Sequence, residues 1–326
     1  MESIKDNIKS NFARIFGSAR KDSPNLPLSG IDEQKLNKLK ALSADVRMAT
    51  LGAIYHVNSG HVGTSLSIVD IITALLFHKM NWKNFLPVVK GKTANEQWRD
   101  WQNPELARDR FVLSKGHGVP SWYSALAVSG YIDPEELKSL RVAGSRLQGH
   151  PERKRFPFID GTTGSLGQGQ SVALGHALAK KAQGREEKVY CILGDGECNE
   201  GQVWESAMSA SKFGLDNLVY IIDFNKKQSE GMNEDIMNVE WLHHRWKVFK
   251  WHVQRINGHD MRALLRALDE TDKVKGYPHV IVADTQKGYM GNGEVFMGGG
   301  HSASIDKDSY EAGIKLLTEL KHSYGA

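Results

Sequence analysis

Two apolar segments, each followed by polar residues, constrain the fold of this chain more than any other feature. Residues 188–193 and 218–223 have the character of buried strands, and residues 201–213 between them have the composition of a helix. Gly194-Asp195-Gly196 follows the first strand and Asn225 follows the second. A strand-helix-strand unit places its two strands parallel in one sheet, so their carboxyl ends lie at the same edge. We therefore expect Asp195 and Asn225 at that edge, where ligands of open α/β sheets bind.

The side chains at this edge indicate a site for a hard cation. Asp195 supplies a carboxylate and Asn225 a side-chain amide, and the motif contains no histidine. Such oxygen ligands suit Mg²⁺, which completes its shell with phosphate oxygens. Gly194 and Gly196 let backbone amides approach a diphosphate. An isolated Gly-Asp-Gly is also typical of an ordinary turn, so the prediction depends on the surrounding pattern of strand, helix and strand.

The rest of the chain predicts alternating helices and strands, and therefore an α/β fold. We expect a doubly wound, mostly parallel sheet with helices on both faces. A glycine-rich turn over residues 161–169 opens a helix rich in small residues, and residues 81–108 are polar and predict a loop. Helices are further predicted over residues 33–57, 67–78, 121–129, 134–140 and 261–269, and strands over residues 111–113, 251–256 and 279–285.

The chain divides into a short lead-in and one large domain. Residues 1–30 predict an amphipathic helix and a linker, and residues 31–326 predict the domain that carries the sheet. We see no internal repeat. No segment approaches the roughly 20 apolar residues of a membrane helix, and the N-terminus lacks the apolar stretch of a secretion signal. We therefore expect no membrane association.

Charge and cysteine content indicate a cytoplasmic protein that does not bind nucleic acid. The 326 residues carry a net charge of +4, and the basic residues are spread along the chain rather than gathered in a stripe. The two cysteines, Cys191 and Cys198, cannot form a disulfide framework. Cys191 lies in a predicted buried strand and is most simply a small core residue.

Four histidines stand beside glycines at places where an element is predicted to end, namely His61, His117, His150 and His301. Imidazole donates hydrogen bonds to phosphate or sugar oxygens and moves protons near neutral pH. For any single histidine a local loop contact is the simpler interpretation, but the repeated arrangement predicts a functional site. The spacing contains neither His-x-x-x-His nor paired cysteines, so it does not indicate zinc.

In these motifs the chain resembles the amino-terminal half of transketolase, and specifically the separate amino-terminal subunit of split transketolases. The resemblance runs from about Leu36 to the end of the sequence. Its motifs occur in family order: Ser59-Gly60-His61, Arg108 to His117, Leu147-Gln148-Gly149-His150-Pro151, Thr162 to Gly169, Leu193-Gly194-Asp195-Gly196-Glu197 and Glu200-Gly201-Gln202.

The resemblance implies a role for each matching residue. Asp195, Asn225 and the carbonyl of Lys227 would bind Mg²⁺, or Ca²⁺ or Mn²⁺ in its place. Residues implied in binding thiamine diphosphate are His117, Gly164, Ser165, Leu166, Gly194, Gly196, Glu197, Asn225 and His301. Residues implied in substrate contact and proton transfer are His61, His150 and His301, and Glu200 would belong to a proton relay at the subunit interface.

The resemblance also implies a reaction and a partner. The family transfers a two-carbon ketol unit from a ketose or ketose phosphate to an aldose. Its second domain binds the aminopyrimidine of the cofactor, and this sequence does not show that domain. We therefore expect a second chain with the pyrimidine-binding and carboxy-terminal domains, in an assembly with two copies of each chain.

Three departures from the family pattern keep two alternatives open. Lys227 and Ser229 replace residues that are usually apolar, Gly298-Gly299-Gly300-His301 replaces the usual Trp-His-Gly, and the segment from Asn84 to Asn103 is longer than usual. One alternative is an α-subunit of a thiamine diphosphate enzyme that decarboxylates a 2-oxo acid. The other is a relative without catalytic activity that binds a partner.

Overall fold

The computed structural model describes residues 31–82, 85–103, 105–296 and 304–325, so the predicted lead-in helix and linker lie outside it. The strands are β1 (Arg110–Leu113), β2 (Val189–Gly194), β3 (Leu218–Phe224), β4 (His252–Asn257) and β5 (His279–Asp284). The helices are α1 (Glu33–Val57), α2 (Val62–Ser67), α3 (Val69–Ala74), α4 (Leu86–Val89), α5 (Ala94–Trp101), α6 (Val119–Val128), α7 (Gly169–Ala182), α8 (Gly201–Lys212), α9 (Asn233–Ile236), α10 (Leu242–Val248), α11 (Met261–Glu270) and α12 (Lys307–Ser323).

The five strands form one parallel sheet in the order β1-β2-β3-β5-β4. This confirms the predicted mostly parallel α/β fold. Gly194 pairs with Asp223 at the ends of β2 and β3. The residues that follow these two strands therefore lie side by side, as the strand-helix-strand pattern around Gly194-Asp195-Gly196 predicted.

Alternate residues of β1, β2, β3 and β5 bury opposite faces of the sheet under helices, whereas the edge strand β4 is only partly buried. On β2, Tyr190 and Ile192 join a core cluster that also contains residues of α1, α3, α6 and α11. Val189, Cys191 and Leu193 join a second cluster with residues of α7, α8 and α10. Because strand side chains alternate between faces, a strand that is apolar at every position must be covered on both sides.

Helix α1 has the predicted bounds, and its capping residues set them. The Asp32 carboxylate accepts the backbone N–H of Lys35 at 2.6 Å and satisfies one of the unpaired donors of the first turn. At the other end Asn58 adopts a left-handed φ of 49°, and its N–H bonds the carbonyls of Ile54 and Tyr55. The chain thus leaves the helix directly into Ser59-Gly60-His61.

The predicted helix over residues 67–78 is wrong in detail. Helix α2 ends at Ser67, α3 begins at Val69, and a π-helical turn spans Leu75–Lys79. The Ser67 hydroxyl donates to the carbonyl of Thr64 at 3.0 Å and to the carboxylate of Asp223 at 2.7 Å. A serine that bonds outside its own helical ladder favours a break at this point.

The loop prediction for residues 81–108 is also wrong, because this segment contains α4 and α5. The hydroxyl of Thr93 caps α5, and the Glu96 carboxylate accepts the N–H of Thr93 at 2.9 Å in return. Such a capping box can be recognised in the sequence, but the loop prediction rested on the low apolar content of the segment. In α5 only Gln97 and Trp101 are buried, so the short helix is mostly polar.

Trp101 anchors this segment to the body of the domain. It is fully buried, and its ring meets Trp82 and Phe158 edge-on at centroid distances of 4.5 and 5.0 Å. The guanidinium of Arg108 lies 4.2 Å from the Trp101 ring centroid and makes a bidentate ion pair with Asp160. The loop that follows His150 is therefore tied to the same aromatic cluster.

We predict that Trp101→Ala lowers the free energy of unfolding by about 3–5 kcal/mol, because it leaves a cavity among rings that cannot collapse around it. Trp98→Ala is the matched control in the same helix. Trp98 is 41% exposed, so its loss should cost about 1 kcal/mol or less. Urea denaturation of both variants measures the difference, and equal losses would contradict the anchoring role of Trp101.

Candidate active site

Asp195 lies at the end of β2 and is only 2% exposed. One carboxylate oxygen accepts the N–H of Gly196 at 2.7 Å, and the other accepts the N–H of Lys226 at 2.6 Å. The side-chain amide of Asn233 donates to this second oxygen at 2.8 Å. These donors fix the carboxylate at the sheet edge beside the turn that follows β3.

The turn after β3 brings Asn225 and Lys227 next to Asp195. Lys226 adopts a left-handed φ of 65°, which reverses the chain so that its own N–H faces Asp195. Lys227 then pairs with Met232 in an antiparallel bridge, and residues 228–231 close a short hairpin. The Asn225 amide oxygen accepts the N–H of Lys227 at 3.0 Å.

Asp195 and Asp223 are two buried carboxylates at this edge of the sheet, and their pKa values are shifted in opposite directions. Burial alone would raise the pKa of Asp223, but the Lys115 ammonium and several hydrogen bonds outweigh it and hold that pKa below its usual value. Burial, and then the negative charge of Asp223, raise the pKa of Asp195 to about 6. The charge of Asp223 is thus balanced by an ammonium group in contact with it, whereas neutral N–H groups donate to Asp195.

Glu197 joins three segments of the site. Its carboxylate accepts the hydroxyl of Ser114 at 2.5 Å and the N–H groups of Gly167 and Gly194 at 3.0 Å each. Burial raises the pKa of this carboxyl. Because both oxygens already accept from protein donors, the geometry favours a positioning role for Glu197, and its predicted contact with the cofactor stays a prediction.

Three of the four predicted histidines converge. The ring centroid of His61 lies 5.4 Å from that of His117 and 5.9 Å from that of His150. The His150 ring also lies beside Gly164, where an added Cβ atom would stand 3.7 Å from it. Burial, and then the charge of Arg141, lower the pKa of His150, which favours the neutral imidazole. His301 and Gly298-Gly299-Gly300 lie outside the described residues.

A cavity of about 390 Å³ is lined by Asp195, Asn225, Lys227, Glu197 and His117, whereas His61 and His150 are not part of its wall. Side chains and backbone from the ends of β1, β2, β3 and β5 form its wall, and the predicted residues among them are His117, Leu166, Gly194, Asp195, Gly196, Glu197, Glu200, Asn225 and Lys227. Gly164 and Ser165 precede Leu166 and are exposed. The glycine-rich loop packs tightly, since a Cβ atom on Gly167 would stand 2.5 Å from the Cβ of Glu200.

The structure adds wall residues to which the sequence motifs assigned no role. Lys115 and Lys287 supply positive charge, and burial followed by the charge of Lys115 lowers the pKa of Lys287. Thr64, Asn199, Gln228, Glu230 and Met237 also line the cavity. Lys115 immediately precedes Gly116-His117, and this position in the motif from Arg108 to His117 is the sequence signal for it. Asn233 and Lys287 lie in segments without a recognisable motif.

The side chains of Lys227 and Ser229 are both exposed on the hairpin after β3, and both residues line the cavity. Within the described ranges, no group of three or more His, Cys, Asp and Glu side chains is arranged to hold a metal ion. A cation at Asp195 would therefore depend on amide and carbonyl oxygens for its other protein ligands.

Comparison with known proteins identifies the family. Residues 38–318 match the family described as "Transketolase, thiamine diphosphate binding domain". The chain is 39% identical over 275 residues to the 6-deoxy-6-sulfo-D-fructose transketolase subunit SqwG of Clostridium sp. (strain MSTE9), covering 83% of this chain and 93% of that relative. It is 34% identical over 288 residues to an apulose-4-phosphate transketolase subunit of Phocaeicola vulgatus, covering 87% and 95%.

Solved transketolases share the fold but are longer. A Campylobacter jejuni transketolase superposes with a TM-score of 0.73 at 28% identity, and a Pichia stipitis transketolase in complex with fructose-6-phosphate superposes with 0.71 at 27%. The alignments cover 88% and 89% of this chain but only 45% of each transketolase, so this chain spans about half the length of these relatives. The chain belongs to the transketolase family, in which it corresponds to the thiamine diphosphate-binding domain.

Proposed function

We propose that this chain is the diphosphate-binding subunit of a two-chain transketolase, which transfers a two-carbon ketol unit from a ketose to an aldose. The observation that carries the proposal is that His117 lines the same cavity as Asp195 and Asn225, with His61 beside His117 and His150 beside His61. Asp195 and Asn225 give oxygen ligands for a cation, and the histidines give proton-transfer and anion-binding groups.

The residues present fit a diphosphate with a magnesium ion. Asp195 offers a carboxylate, Asn225 an amide oxygen and Lys227 a backbone carbonyl, which are the hard ligands that Mg²⁺ prefers. Glycine at position 196 lets the chain pack closely against Gln228, because an added Cβ atom would stand 2.8 Å from that side chain. His117 and Lys287 lie in the same wall. The Lys287 ammonium would compensate part of the negative charge of the diphosphate, and the His117 imidazole would donate a hydrogen bond to it.

Thiamine diphosphate, when bound, supplies the electron sink that carbon–carbon bond cleavage beside a carbonyl requires. The chain contributes position and proton transfer. The His150 side chain is exposed, and its lowered pKa favours the neutral form, so it can accept a proton from a sugar hydroxyl. His61 lies between His117 and His150 and would contact the same end of the sugar.

The relatives support a partner chain and an anionic sugar substrate. Two of them are named as transketolase subunits, and this chain covers 93% and 95% of their lengths. Their names specify 6-deoxy-6-sulfo-D-fructose and apulose 4-phosphate, both of which carry a terminal anionic group. We infer a ketose with a phosphate or sulfonate at its far end, and an assembly with two copies of each chain.

Two further properties complete the proposal. Among the described residues, no helix combines the length and the apolar character needed to cross a membrane. Cys191 and Cys198 are both buried and free, which fits the reducing environment of the cytoplasm. The transketolase relatives favour ketol transfer over decarboxylation of a 2-oxo acid. Asp195, Asn225 and His117 in the cavity wall favour a catalytic subunit over a relative without activity, which would not need these groups.

The first test concerns the partner. We predict that this chain alone transfers no ketol unit, and that turnover appears when the subunit with the pyrimidine-binding domain is added. The physical reason is that residues on both chains must enclose the cofactor. The measurement is coupled aldose release from a ketose phosphate with each purified chain and with the mixture. Sustained turnover by this chain alone would refute a divided site.

The second test concerns the metal ligands. Asp195→Ala should weaken Mg²⁺-dependent cofactor binding at least about 100-fold, because it removes the only carboxylate of the set, and Asn225→Ala should weaken it about 10-fold. Titration calorimetry of the assembled complex measures both. Asp235→Asn is the matched control, since Asp235 is an exposed acid on the neighbouring helix α9. Unchanged affinity in Asp195→Ala would place the metal elsewhere.

The third test separates the histidines. His61→Ala and His150→Ala should lower kcat by about 10²–10⁴ while changing cofactor affinity little, because they act on the sugar. His117→Ala should chiefly raise the apparent KM for thiamine diphosphate, because it lies at the diphosphate end. Steady-state kinetics with varied cofactor and varied ketose distinguishes these effects. Equal losses of cofactor affinity in all three variants would argue against the assignment.

A further inference from the structure

A largely buried polar network outside this cavity joins α1, α3 and the segment after β4. Arg47 of α1 makes a bidentate ion pair with Asp70 of α3, at 3.0 and 2.7 Å. His259, which follows β4, contacts the same carboxylate through Nδ1 at 2.9 Å. Arg47 also donates to the carbonyl of Tyr289 at 3.0 Å. None of these side chains lines the cavity, so the site described above does not account for them.

The contacts of His259 specify a single neutral form of its ring. Asp70 can only accept, because burial alone would raise its pKa but Arg47 and His259 hold the pKa well below its usual range. Nδ1 must therefore carry the proton that is donated to Asp70. Nε2 accepts the backbone N–H of Gln286 at 2.9 Å, so this nitrogen must be unprotonated. The ring is also stacked on Tyr289, with centroids 3.6 Å apart.

Gln286 immediately precedes Lys287, which lines the cavity. The segment of residues 285–288 is tied down on either side of Lys287 by backbone bonds, from Thr285 N–H to Phe224 and from Gly288 N–H to Gly63. At Gln286 the acceptor is the His259 ring instead of another backbone group. The backbone N–H next to Lys287 is therefore held by a side chain that Asp70 holds in turn.

We propose that His259 is a positioning residue, whose Nε2 fixes the Gln286 amide so that Lys287 is delivered into the cavity. Arg47 and Asp70 hold the imidazole in the one tautomer that can accept. The inference rests on the proposed function in one respect, namely that the cavity takes a diphosphate on which the Lys287 ammonium acts.

Hydrogen exchange of the full chain without ligand tests the positioning itself. His259→Phe keeps a ring on Tyr289 but removes the acceptor, so exchange should accelerate in peptides that cover residues 285–289 and stay unchanged in peptides of β3. His259→Gln, whose amide oxygen can reach the place of Nε2, should restore much of the protection. Unchanged exchange at residues 285–289 in His259→Phe would overturn the proposal, and so would equal acceleration throughout the chain.

A double-mutant cycle tests whether His259 acts through Lys287. The probe is magnesium pyrophosphate, titrated into the full chain by calorimetry. Lys287→Met and His259→Phe should each weaken binding by roughly 10-fold, and the double variant should bind no more weakly than Lys287→Met, as coupled neighbours do. Additive losses would overturn the proposed route. Failure of the unmodified chain to bind the probe would count against the proposed function, whereas the exchange result would still decide the role of His259.

Discussion

The carboxylate of Asp223 holds together the segments on which the site depends. It is fully buried at the end of β3, and its oxygens accept hydrogen bonds from Ser67 at 2.7 Å and Thr285 at 2.5 Å, and from the amide of Asn225. Lys115, which follows β1, forms an ion pair with it. One carboxylate thus links the ends of three strands and helix α2. Removal of one partner from such a buried pair leaves an uncompensated charge, which is strongly destabilising.

The same carboxylate sets the electrostatics of the cavity. Lys115 neutralises Asp223, whereas Asp195 accepts hydrogen bonds from backbone and amide N–H groups. A buried carboxylate that is held by neutral donors is poorly compensated, and a divalent cation beside it would relieve that cost. The ammonium of Lys287 and the imidazole of His117 lie on other parts of the wall, so the cavity offers groups that would bind a diphosphate beside a site for its metal ion.

The sequence predicted the parts of this structure whose signal is local. Apolar runs predicted the strands of the sheet and the 25-residue helix α1. The polar residues and glycines that follow two of these strands predicted that Asp195 and Asn225 lie at one edge of the sheet. The pairing of Lys115 with Asp223 joins residues far apart in the chain, and no local pattern encodes it. Helix α5 was missed because its apolar content is low, and no motif marks α12 or the His259 network.

The site combines a rigid interior with an open face, and this difference follows from where each residue sits on the fold. Asp195, Glu197 and Asp223 are almost fully buried and bind several segments, so they cannot adapt to different substrates. Gly164, Ser165 and Glu200 are exposed, as are Lys227 and Ser229 on the hairpin after β3. Departures from the family pattern at Lys227 and Ser229 thus fall on the open face, where a change of side chain leaves the buried carboxylate network intact. If the proposed function holds, selection of the sugar would vary at this face without disturbing the residues that would hold the cofactor.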